Sequence, residues 1–103
     1  MGSERFRKLL DAKGKNPLLL FSYGQALLDE GQAREAMASL KECCDGNKNW
    51  LMPRLLLGKA CLELKEPGQA KQWLEEAKRL SIEQEHEEPL EEAERLLKEL
   101  VDS

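Results

Sequence analysis

A chain of 103 residues, 41% hydrophobic, 35% charged and 5% aromatic, has the length and composition of one small globular domain and is too short for two. Its 16 Lys and Arg against 20 Asp and Glu leave a net charge of −4, which excludes the broad basic face that a duplex-binding protein needs. A domain of this size buries roughly 60–70% of the surface of its unfolded chain, enough for a core but favouring a surface groove over a deep enzyme cleft.

The chain holds twenty Leu, one Ile (Ile82), one Val (Val101) and no Thr, so the residues that favour strands are nearly absent and an all-α fold follows. The sequence predicts helices in chain order as follows. A short amphipathic piece covers 3–12, with Phe6, Leu9 and Leu10 on one side. Asn16 and Pro17 start a helix over 17–30, Asn capping free amides and Pro standing where its missing N–H costs nothing. Gly31 ends it in the left-handed conformation, and a helix over 33–44 follows, closed by Asp45-Gly46-Asn47. Asn49 is expected to cap a helix over 50–64, with Pro53 in its first turn. Pro67 opens a helix over 67–82. The last begins near Pro89, with Leu90, Ala93, Leu96, Leu97, Leu100 and Val101 as one stripe.

A shift of 34 residues lays Gly24 on Gly58, Ala26 on Ala60, Leu28 on Leu62, Ala36 on Ala70 and Leu40 on Leu74. Such a period marks stacked supersecondary units. Gly24 and Gly58 cost about 1 kcal/mol each inside a helix, a cost tolerated where another helix comes very close. With Leu20, Tyr23, Gly24, Leu27, Ala36 and Leu40 in the first unit and Leu57, Gly58, Cys61, Ala70, Leu74 and Ala77 in the second, the chain resembles the tetratricopeptide repeat family. The resemblance implies a short right-handed helical-repeat solenoid forming a single domain over 1–103. In it a half-repeat helix (3–12) precedes repeat 1 (17–50) and repeat 2 (51–84), and a capping helix (88–101) follows. Arg54 departs from the family, standing where a large aromatic is usual. The segment from Glu83 to Ser103 carries nine acidic residues against two basic ones, and a basic excess sits at Arg5, Arg7, Lys8, Lys13 and Lys15.

No catalytic constellation emerges. His86 is the only histidine and lies among glutamates without a patterned nucleophile. Cys43, Cys44 and Cys61 lack the spacing of a metal site, and no glycine-rich phosphate loop is present, so no metal or cofactor is expected. Cys43 and Cys61 read as small core hydrophobes and Cys44 as partly exposed. Free thiols, no apolar run near the ~18 residues of a membrane span and no signal-peptide stretch point to a cytoplasmic protein without a membrane partner.

What remains is a surface. In the family the first helix of each unit lines a concave face, which assigns Leu18, Phe21, Gln25, Leu28 and Asp29 to it from the first unit. The second unit adds Met52, Leu55, Lys59, Leu62 and Glu63. Six of these ten are apolar, which suits a groove for a peptide or helix of a protein partner, the polar four setting orientation. Two other occupants compete for that strip: the chain's own ends, and a second copy in a homodimer. The rival function is a small thiol-dependent enzyme using Cys44. A clamp for a chaperone's C-terminal carboxylate is disfavoured, because Phe21 and Leu56 stand where it needs Lys and Asn.

Overall fold

The computed structural model describes residues 2–102, so Met1 and Ser103 of the expected domain lie outside it. Over the described residues the chain forms six helices and no strand: α1 (Gly2–Lys13), α2 (Pro17–Asp29), α3 (Ala33–Asp45), α4 (Leu51–Glu63), α5 (Pro67–Glu83) and α6 (Glu87–Asp102). Each packs on its neighbours in sequence, and α4 also touches both α2 and α6, so the helices form a short stack measuring 43 × 28 × 20 Å. The fold is a helical-repeat solenoid, as the 34-residue period predicts.

Glycine makes the pairs tight. A Cβ built on Gly24 would stand 2.8 Å from Leu40 Cγ and Cδ2, and one on Gly58 would stand 2.5 Å from Leu74 Cδ2. The two fully buried leucines therefore occupy the space that a side chain would fill. The core is two clusters. One joins Leu27, Ala36, Leu40, Leu57, Cys61 and Ala70; the other joins Leu51, Leu55, Leu74, Ala77, Leu80, Ala93 and Leu96. Leu62 and Leu100 pack against both, so the apolar interior runs through the stack without a break.

Asn16 caps α2 as expected, its Oδ1 accepting from the N–H groups of Leu18 (2.9 Å) and Leu19 (3.3 Å). Gly31 takes φ +80°, and Gln32 N–H returns to Leu27 O at 2.8 Å, which closes the helix end. The same closure recurs twice without glycine. Lys65 (φ 57°) and Glu85 (φ 56°) hold the left-handed conformation while Glu66 N–H reaches Cys61 O and His86 N–H reaches Ser81 O, both at 2.9 Å. Lys65, which is exposed, lies one period after Gly31 and holds a backbone that its side chain disfavours, closed locally by the bond from Glu66 N–H to Cys61 O.

The start of α4 departs from expectation. Its N-cap is Trp50 with no side-chain cap, and Asn49 instead offers its carbonyl to Gln84 Nε2 at 2.7 Å. Order at this corner comes from Arg54, which is 5% exposed. Its guanidinium donates to Glu76 Oε1 (2.6 Å), Trp50 O (2.7 Å) and Asn47 O (3.0 Å), binding the α3–α4 loop, α4 and α5 together. Three donors and one carboxylate thus replace the large aromatic usual at this position.

A shift of 36 residues lays Pro53 on Pro89, Leu57 on Ala93, Ala60 on Leu96 and Cys61 on Leu97, and each proline stands third in its helix. Accordingly α6 packs on α5 and α4 as α4 packs on α3 and α2. The last helix therefore sits as the first helix of a further unit. Its register is hidden from a fixed period because α5 has 17 residues to the 13 of α3, while the loop before α6 is shorter.

Candidate functional site

The face expected to bind a partner divides in two. On α2, Leu18 is 70% exposed, Gln25 and Asp29 are exposed, and Phe21 is half-buried. Leu28 is half-buried because it leans on the first core cluster. On α4, Met52 is 36% exposed and Glu63 is exposed, but Leu55 is only 1% exposed. Leu55 belongs to the cluster that α6 covers with Ala93 and Leu96, so it is core and no free surface. Lys59 is half-buried and pairs with Glu92 of α6, and Leu62 packs into both clusters. Around Leu55 and Lys59 the chain covers its own strip.

The open part lies toward the N-terminal ends of α2 and α4. There the Phe21 and Trp50 rings meet at 5.3 Å between centroids with a 34° tilt, fixing an aromatic pair near the exposed Leu18 and Met52. Beside it a hollow of about 250 Å³ is lined by Trp50, Met52, Gln84, His86 and Pro89 among others. Reading helix faces alone missed Trp50, His86 and Pro89, since the first two precede helices and the third stands in a first turn. The signal that was available is Trp50, a large aromatic directly ahead of a helix start.

The chemistry of this face is that of contact. Burial raises the pKa of all three thiols, that of Cys43 to about 11, so each is protonated at neutral pH. Cys44 is 7% exposed, not partly exposed as expected, and burial removes it from the list of accessible nucleophiles. Among the described residues no group of three His, Cys, Asp or Glu is placed to hold a metal ion. No helix among them is long and apolar enough to cross a membrane. Leu56 is buried in the core, in a position where a carboxylate clamp needs a polar side chain.

Paired helices held together by glycines at a 34-residue period, stacked with one continuous apolar interior, define a tetratricopeptide-type helical-repeat protein. Residues 4–77 match the profile of the family described as anaphase-promoting complex, cyclosome, subunit 3, and the chain belongs to that family. No curated protein matches the chain. Among solved structures it is similar to PcrH in complex with the chaperone binding region of PopD, with a TM-score of 0.88 at 17% identity over 97% of this chain and 76% of that one. PcrH from Pseudomonas aeruginosa gives a TM-score of 0.86 in a further structure, again at 17% identity, over 96% of this chain and 76% of that one. The TPR2B domain of yeast Sti1, in a complex with pHsp70, gives 0.86 at 15% identity over 97% of this chain and 80% of that one. Protein BPP2914 from Bordetella parapertussis gives 0.85 at 21% identity, covering 97% and 87%. At these identities the likeness is one of fold.

Proposed function

We propose that the chain is a non-catalytic protein-interaction module of the cytoplasm, an adaptor or scaffold that binds a peptide or helix of a protein partner on the open face of α2 and α4. The two repeats, 17–50 and 51–84, act with the helices at 3–12 and 88–101 as one domain. The observation that carries the reading is the exposure of Leu18 (70%) and Met52 (36%) beside the Phe21–Trp50 pair, Leu18 being the one leucine among the described residues that is fully exposed rather than half-buried or buried. Such a face gives a partner helix or strand two or three apolar anchors, and anchors of this kind supply most of the affinity of an interface. Gln25, Asp29 and Glu63 fix its orientation, whereas Leu55, Lys59 and Leu62 support the face from within. PopD and pHsp70, bound by proteins of the same fold, are consistent with a protein ligand.

Selection of displayed random peptides on the intact protein, followed by titration of the winners, tests this. The winners are expected to be amphipathic and to lose at least tenfold in affinity, about 1.4 kcal/mol, against Leu18→Glu with Met52→Glu. The melting midpoint of that variant should stay within about 2 °C of the parent, because exposed side chains contribute little to stability. Peptides that bind the double variant as well as the parent would place the interaction elsewhere.

A further inference from the structure

The two ends of the stack are unlike and complementary. α6 sits as the first helix of a unit, and the flank that its counterpart α4 turns to α5 is carried in α6 by Leu90, Glu94 and Leu97, the positions of Arg54, Gly58 and Cys61 under the 36-residue shift, with Val101 one turn beyond Leu97. In α4 that flank is closed by Leu74 over Gly58. In α6 no helix among the described residues covers it. Val101 is 83% exposed, and with Leu97 and Lys71 it lines a cavity of about 460 Å³ between α5 and α6. At the other end α1 packs on α2 as α3 packs on α4, which makes it the second helix of a unit. Arg5, Phe6 and Leu9 fall 34 residues before Ser39, Leu40 and Cys43, three residues through which α3 meets its own first helix. That side of α1 opens on a cavity of about 540 Å³ lined by Glu4, Arg5, Lys8 and Leu9.

We propose that copies of this chain associate head to tail, α1 of one copy closing the open flank of α6 of the next and so completing a helix pair between them. Charge singles out this occupant. α6 holds seven acidic residues against two basic ones, and α1 holds four basic against two acidic, so opposite ends attract and like ends repel. Glu94 stands where Gly58 allows Leu74 to approach, so the incoming helix sits further out than α5 does on α4. In that register Arg5 comes within reach of the Glu94 carboxylate, which in the single chain is met only loosely by Lys78 at 3.7 Å. The contact is heterologous: using one end leaves the other free, so each added copy presents a fresh end to the next. It leaves the peptide-binding face with Leu18, Phe21 and Met52 untouched.

Sedimentation of the full chain from micromolar to millimolar concentration tests the proposal, with two variants whose folding is checked by circular dichroism. Arg5→Glu with Lys8→Glu disables the head, and Glu94→Lys with Val101→Lys disables the tail; all four side chains are exposed. The parent is expected to grow in size with concentration without a plateau, and to do so less in high salt. Each variant alone should be monomeric, its association weakened at least tenfold. Mixed in equal amounts, the two should form dimers and nothing larger, because one live head meets one live tail. A parent that stays monomeric to millimolar concentration would overturn the proposal, as would association that both variants retain or variants that do not restore a dimer on mixing.

Discussion

At the scale of the residue, the two packing glycines show how one missing side chain sets a helix separation. Gly58 lies in a helix interior, where replacing it by Ala gains about 1 kcal/mol of helix propensity. The new Cβ would stand 2.5 Å from Cδ2 and 2.6 Å from Cγ of Leu74, which is fully buried and has nowhere to move. Overpacking of this kind costs about 1–3 kcal/mol, so Gly58→Ala is expected to destabilise the fold by about 1 kcal/mol in urea denaturation. Gly68→Ala serves as the opposite case. A Cβ at Gly68 meets nothing within 4 Å in the first turn of α5, and this substitution should stabilise by about 0.5 kcal/mol. Equal effects at the two positions would show that Leu74 is not seated on Gly58.

At the scale of the element, α1 is held by a carboxylate from its neighbour. Glu30, which ends α2, accepts from Ser3 Oγ at 2.6 Å and from Ser3 N–H at 2.9 Å, satisfying a first-turn amide of α1 and placing negative charge at its N-terminus. The Ser3 hydroxyl, then its amide, hold the Glu30 carboxyl below its ordinary pKa. A folded pKa below the unfolded value means that the stabilisation is complete above the unfolded value and is lost as pH falls through the folded one. The Ser3 amide resonance should therefore titrate with a midpoint below the ordinary value of a glutamate. Over the same interval α1 should loosen from α2. Glu30→Gln should abolish that titration, and a Ser3 amide that still follows pH in this variant would exclude the contact.

At the scale of the molecule, α6 closes the second core cluster. It covers Leu55, Ala77 and Leu80, and its Glu92 neutralises Lys59. Deleting residues 87–103 returns these side chains to water at a cost of about 1.5–3 kcal/mol for each large one. A cost of that order consumes much of the roughly 5–15 kcal/mol by which domains are stable. The shortened chain is expected to aggregate or to lose its cooperative melt, as read by light scattering and calorimetry. An unchanged midpoint would show that the repeats stand without α6.

The sequence by itself determined a great deal of this protein, because helix content, helix punctuation and the 34-residue period are written in local spacing and composition. Leu, Gly and Ala at fixed intervals suffice to specify a stack of helix pairs. Tertiary structure decided what depends on residues far apart in the chain. That Leu55 is core and not groove follows from where α6 lies, and the place of α6 follows from the length of α5, which a fixed period does not register. That Trp50 joins Phe21 and that Arg54 ties the α3–α4 loop to Glu76 of α5 are each imposed by packing partners from another helix or loop. Local preference proposes an element, and burial against its neighbours settles which of its faces remain open to a partner.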